Sequence, residues 1–171
     1  MRSRTLARMP IPDFVAQLRS RVGTDLLWMP GVTAVVVHDD GRLLLGQRTD
    51  NGLWAVVSGI LEPGEQPAHA AVREVLEETG IVAVVEGLAS VSSDTDTVVY
   101  GNGDRTQYLD LTFLCRAVGG QARVGDDEST AVGWFELGAL PEPMASSSRE
   151  RIAHALAYRA TPTNGTWFDR S

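Results

Sequence analysis

Residues 59–81 read GILEPGEQPAHAAVREVLEETGI. The middle of this stretch predicts a helix over 66–79. Pro67 suits the first helical position, where a missing N–H costs nothing. Gly80 suits the position just past the last turn. At about 100° per residue, Ala68, Ala71, Val72, Val75, Leu76 and Thr79 share one face, the expected buried side. Glu74, Glu77 and Glu78 fall on a different face, within an arc of roughly 100°. That face is badly placed for stability. Glu74 repels Glu77 at i,i+3 and Glu78 at i,i+4, at about 0.2–0.5 kcal/mol each. All three lie toward the negative end of the helix dipole, where cations are preferred. Arg73 is the one cation inside the helix. Carboxylates so arranged either form a solvated acidic face or hold a hard divalent cation such as Mg²⁺ or Mn²⁺, which would turn repulsion into coordination.

The flanking residues extend the pattern. Gly59 is followed after five residues by Glu65. Seven residues later come Arg73-Glu74, then Val75, one residue, Glu77-Glu78, one residue, Gly80 and Ile81. This spacing resembles the complete Nudix box, with every fixed position present. Seven fixed identities recur by chance at an expectation on the order of 10⁻⁶ or less. Weaker likeness reaches over most of the chain: Trp54 before the box, the Tyr100-Gly101-Asn102-Gly103-Asp104 hairpin, and an acidic segment leading to Trp134-Phe135. One departure is visible. Many members enter the box with Pro-Gly-Gly, whereas this chain has Ser58-Gly59-Ile60.

The rest of the chain reads as one mixed α/β domain. Ile11, Phe14, Val15, Leu18 and Val22 predict an amphipathic helix over 11–22. Strands are expected at 32–38, 42–48, 53–57, 88–100, 107–117 and 131–136, mostly in hairpins, with Asp40-Gly41 and Asn102-Gly103 as turns. Ser147 and Glu150 have the spacing of a capping box opening a helix over 149–158. The expected division is an N-terminal helical extension over 1–30, a Nudix domain over 31–159 and a tail over 160–171. The resemblance implies an α/β/α sandwich with a mixed sheet.

Composition narrows the function further. The chain has 171 residues, 43% of them apolar, enough for one folded core rather than a disordered segment. No apolar run is long enough to predict a membrane helix, and Arg2, Arg4 and Arg8 are not followed by the apolar core of a signal peptide. A single cysteine, Cys115, excludes an internal disulfide framework, and a cytoplasmic setting is the expectation. Net charge is −7 and all basic residues are Arg, so long nucleic acid is an unlikely partner. A phosphate-bearing small molecule would be repelled as well, unless a cation stood between it and the protein.

What the resemblance implies follows residue by residue. Glu74 and Glu78 would be direct metal ligands, Glu77 a third, and the Gly59 carbonyl a backbone ligand, for Mg²⁺ or Mn²⁺. Arg73 would orient carboxylates, through Glu65 among others. Glu128, in an acidic segment six residues before Trp134, would be an additional ligand or the general base. The implied reaction is hydrolysis of the diphosphate in a nucleoside diphosphate joined to another moiety, with ADP-ribose-like compounds first. Cleavage of oxidised nucleoside triphosphates is the alternative within the enzyme class. A non-catalytic nucleotide-binding regulator is the alternative outside it. Trp28, Trp54 and Tyr108 are candidates to stack a base, and Arg48 and Arg105 to reach a distal phosphate. Each of these five has a plain packing or solvation reading beside it. The additions outside the box-bearing core suggest a homodimer.

Overall fold

The computed structural model describes residues 11–170. Helix α1 (Asp13–Val22) leads into β1 (Leu26–Val37) and β2 (Leu43–Arg48). The short strands β3 (Trp54–Ala55) and β4 (Val57–Ile60) follow, then α2 (Pro67–Thr79). Next come β5 (Ile81–Ser93), β6 (Val98–Val99), β7 (Arg105–Gly120) and β8 (Ser129–Phe135), and finally α3 (Ser146–Ala160). Residues 1–10, the first part of the expected N-terminal extension, lie outside the described residues.

One mixed sheet holds the eight strands, its main path running β3-β2-β1-β7-β5. Its centre is a parallel pairing of β1 with β7, in register from Leu26 opposite Arg105 to Val37 opposite Arg116. β5 closes against β7 antiparallel, β4 pairs with β1 through Val32 opposite Gly59, and β8 pairs with β2. Alternation along β1 sends Val32, Ala34 and Val36 to one face, where Ala70, Ala71 and Val75 of α2 cover them. Val35 and Val37 go to the other, where Ile152 and Ala155 of α3 cover them. The result is the α/β/α layering expected from the sequence, built as a single domain. Cys115 is fully buried in the core under α2. Among the described residues no helix is long and apolar enough to cross a membrane.

Several elements differ from their sequence-based expectation. β1 starts at Leu26 rather than at 32, because the parallel pairing with β7 carries it back over Pro30. β5 begins at Ile81, the last residue of the box, rather than at 88, and its far end stops at Ser93. The stretch expected as one strand to Tyr100 resumes only as the two-residue β6. The buried face of α2 is rotated toward the glutamates. Leu76 is half exposed while Ala70 and Glu78 are buried, because neighbouring structure covers the helix on a second side. No capping box forms at α3. The helix begins one turn earlier with Ala145 at the N-cap and no side-chain cap bond, and runs to Ala160. The segment expected as a tail is fastened at Trp167. The Trp167 N–H donates to the Ala89 carbonyl (2.8 Å), its carbonyl accepts from Val91 (2.9 Å), and its ring stacks on His154 at 4.0 Å.

Candidate active site

Two local devices place the carboxylates. Gln66 stands at the N-cap of α2 without a side-chain cap bond, followed by Pro67, and Gly80 ends the helix in the left-handed region (φ 69°) with its N–H on the Leu76 carbonyl. The loop after β7 then folds back under that end. The Arg123 N–H donates to the Thr79 carbonyl and the Gly125 N–H to the Glu78 carbonyl, both at 2.9 Å, satisfying carbonyls the helix cannot. A Cβ on Gly125 would fall 1.8 Å from the Glu77 carbonyl oxygen, so only glycine permits this approach. The strap continues to Glu128, whose carbonyl accepts from the Thr49 N–H at 2.8 Å, while the Thr49 hydroxyl donates to the Asp127 carbonyl. Backbone bonds thus carry Glu128 to the C-terminal half of α2.

Glu78, Glu128, Arg48 and Ser58 line one small cleft. Glu78 is 8% exposed, and its Oε1 is buried with no hydrogen-bond partner. Burial first, and then the charges of Glu128, Glu74 and Asp126, push its carboxyl well above the ordinary range. Burial raises Glu74 to about 7 against the opposing pull of Arg73. Burial and then Asp126 also raise Glu128, against the pull of Arg48. Arg48 itself is held by Asp50 in a two-pronged pair, Nε to Oδ1 at 2.9 Å and Nη2 to Oδ2 at 2.7 Å.

Arg73 organises the remaining carboxylates. Its Nε and Nη2 donate to the two oxygens of Glu65 at 2.8 and 3.0 Å, and its Nη1 donates to Glu74 and Glu77, both at 3.0 Å. The Glu65 hydrogen bonds raise the Arg73 pKa, and Arg73 in turn lowers that of Glu65. Glu74 lies directly against Gly59, where a Cβ would fall 2.1 Å from its Oε1. Glu77 is the outermost carboxylate, its side chain 56% exposed.

Among the described residues no three of these carboxylates are drawn together as a ready metal cluster, yet the donor set is of the type a hard divalent cation takes. It offers carboxylate oxygens, a nearby backbone glycine, and a buried oxygen that nothing in the protein satisfies. A buried, unpartnered carboxylate beside two others is costly in the absence of an added positive charge.

The other candidates divide. Arg48 reaches the carboxylate cleft. The Tyr108 ring stands at the box: a Cβ on Gly31 would lie 3.4 Å from it and 3.6 Å from the Gly59 carbonyl oxygen. Its hydroxyl lies 2.7 Å from that of Tyr100. Trp54 is engaged elsewhere, edge-on to Phe135 at 4.8 Å and packed with Met144 in the core under α3. Its ring is half-buried there. Trp28 is 60% exposed on β1. Arg105 is exposed at the start of β7, six positions before Leu111, which is in register with Val32. At about 3.3 Å per residue it stands roughly 20 Å along the strand from the box glycine's neighbours. Sequence reasoning missed Asp50 as part of this region, and it named Tyr100 only within the hairpin that resembles the family. The Arg48-Thr49-Asp50 turn sequence was the available signal for Asp50.

The NUDIX domain family matches residues 27–155 of this chain. A MutT-like protein of Streptomyces ambofaciens is 39% identical, over 73% of this chain and 75% of that protein. An ADP-ribose pyrophosphatase of Methanocaldococcus jannaschii is 33% identical, over 63% of this chain and 62% of that one. A putative 8-oxo-dGTP diphosphatase of Bacillus subtilis is 30% identical, over 74% and 78%. Among solved structures, a MutT NUDIX hydrolase from Burkholderia pseudomallei superposes with a TM-score of 0.61 at 30% identity, covering 75% of this chain and 98% of that one.

Proposed function

Because this chain belongs to the Nudix family and is a hydrolase of diphosphate bonds, we propose that it cleaves a nucleoside diphosphate joined to a second moiety, with ADP-ribose-like compounds and nucleotide sugars preferred. The observation that carries the catalytic part is the buried Glu78 carboxylate, one oxygen without a partner, facing Glu128 and Arg48 across one cleft. Glu74, Glu78 and Glu77, with the Gly59 carbonyl, would hold Mg²⁺ or Mn²⁺. Such a cation, when bound, supplies charge neutralisation of the diphosphate and acidification of water.

The protein's own groups do the rest. Arg73 holds Glu65, Glu74 and Glu77 in one array. Glu128 takes the proton of the attacking water. Its raised pKa makes it a better base than an ordinary carboxylate, and its strap to Thr49 keeps it at the cleft. Arg48 faces the anionic substrate, and Tyr108 borders the part beyond the diphosphate. Replacement of Glu128 by Gln should lower kcat by about 10²-fold or more with little change in KM. A variant within threefold of the parent enzyme would return Glu128 to the surface.

The substrate preference draws on the ADP-ribose pyrophosphatase relative of Methanocaldococcus jannaschii and on the Tyr100–Asp104 hairpin, whose Tyr100 meets Tyr108. The Bacillus relative supports the second reading, a pyrophosphohydrolase of oxidised nucleoside triphosphates. A panel with Mg²⁺ decides between them: ADP-ribose, nucleotide sugars, dinucleoside polyphosphates, and plain and oxidised nucleotides. Preference for oxidised dGTP over every diphosphate-linked compound by more than about tenfold in kcat/KM would replace the first reading with the second. Binding without turnover of any of them would favour a regulator.

A further inference from the structure

We propose that Arg19, on the N-terminal helix, is a positioning residue for substrate binding: it clamps the β6–β7 hairpin so that Tyr100 and Tyr108 stand together at a rim beside Gly31 and the box glycine Gly59. The inference rests on the reading above that this rim borders the substrate beyond its diphosphate.

A single guanidinium ties three pieces of chain together. Arg19 Nη1 donates to the carbonyls of Gly23 (3.2 Å) and Asp25 (2.6 Å), fixing the turn between α1 and β1. Its Nη2 donates to the Arg105 carbonyl (2.7 Å) and the Thr106 hydroxyl (3.0 Å), and its Nε lies 3.5 Å from Asp104 Oδ2. The Arg19 side chain is only 10% exposed.

The hairpin's β7 arm is fixed by the parallel ladder with β1, from Leu26 opposite Arg105 onward, but its β6 arm has little else to hold it. β6 is two residues long and pairs only through Val98 with Thr106 and Val99 with Arg105. Both valines are exposed. A ladder this short is marginal by itself. Yet its geometry sets Tyr100: the Tyr100 N–H donates to the Asp104 carbonyl at 2.9 Å, and the Gly103 N–H donates back to Tyr100. Asp104 is the residue Arg19 pairs with. Moving Asp104 therefore moves Tyr100, whose hydroxyl meets Tyr108 at 2.7 Å. Tyr108 in turn lies against Gly31, beside the Gly59 carbonyl. On the opposite side, Tyr100 is close enough to Arg48 to contribute to its raised pKa. The chain of contacts runs from α1 through Asp104 and Tyr100 to Tyr108 beside the box glycine, without passing through any box carboxylate.

The test compares Arg19→Ala and Arg19→Lys with the parent in the full chain, at saturating Mg²⁺, with ADP-ribose and 8-oxo-dGTP as probes. Arg19→Ala should raise KM for the preferred probe about tenfold while kcat stays within about threefold. Amides of 98–106 should exchange faster, and those of 67–79 should not change. Arg19→Lys should fall between, because one ammonium cannot reproduce the planar fork. If Arg19→Ala does not fold, Asp104→Asn removes one contact only and should shift KM and exchange in the same direction by less. Unchanged exchange over 98–106, or a loss confined to kcat, would overturn the proposal. So would Lys damaging the enzyme as much as Ala. Turnover of neither probe would sink the substrate reading instead, and the exchange measurement would then decide the clamp by itself.

Discussion

Burial sets the protonation of Glu78 and Glu74 before any cation arrives. Both carboxyls have folded-state pKa values above their ordinary values, Glu74 at about 7. In the metal-free protein, the stability associated with protonated Glu74 is complete below about 4.5 and is lost as pH rises through about 7, and Glu78 acts in the same direction. The chelated protein should therefore melt lower at about pH 8 than at about pH 5, by several degrees. Glu78→Gln should flatten that fall while lowering kcat by about 10²-fold or more. Calorimetry in excess chelator checks the first, and a melting temperature level across the range would contradict the assigned burial. Gly59→Ala is the sharper steric probe, because the new methyl would sit where Glu74 Oε1 now lies, 2.1 Å away. Activity should drop by about 10²-fold or more as that carboxylate is displaced. Circular dichroism should show the fold kept, and an active Gly59→Ala enzyme would mean that Glu74 is dispensable where it stands.

Among the elements, α3 is secured at a point its sequence does not advertise. The Ser148 hydroxyl is buried and accepts the Val56 N–H at 3.2 Å, linking α3 to the segment between β3 and β4. Ser148→Ala would leave that N–H buried and unpaired, costing about 1–3 kcal/mol. Denaturant unfolding measures this, and a loss near zero would show that the bond contributes nothing net. The sequence suggested Ser147 as a cap because local spacing is all it offers. The use of Ser148 depends on a strand edge far away in the chain. The same distinction runs through the fold. The ends of α2 were legible because Pro67 and Gly80 act locally, and the box glutamates because their spacing is fixed within one helix. The burial of Glu78 in place of Leu76 was not legible, because it follows from the strap at 123–128 lying over the helix end. The anchoring of Trp167 on β5 was hidden for the same reason, since Pro162 and Asn164-Gly165 read locally as loose chain. Arg73 with Glu65 was readable, while the joining of Arg48 to the cleft needed the pairing of β2 with β8.

For the whole molecule, a net charge of −7 means that the substrate approaches against repulsion unless the carboxylate cleft is neutralised. Chelation should abolish turnover, and Mg²⁺ or Mn²⁺ should restore it. Saturating cation at about a hundred times its dissociation constant should add about 2.7 kcal/mol of stability. Full activity in excess chelator would end the metal-dependent reading. A homodimer remains our proposal for the assembly, with the exposed Val82 and Val84 on the sheet-edge strand β5 as its support. Sedimentation at micromolar concentration should give twice the 18.4 kDa mass of one chain, and a single-chain mass would exclude the dimer. The parallel pairing of β1 with β7 has one more consequence, and it concerns time. These strands lie about 80 residues apart, and parallel, non-local pairing is slow because a long loop must close first. During synthesis β1 is complete well before its partner exists, so Val32 to Val37 emerge as an apolar β-branched run with one side unclaimed. Until β7 is made, the nascent chain is at its most vulnerable to mispairing with another copy of itself.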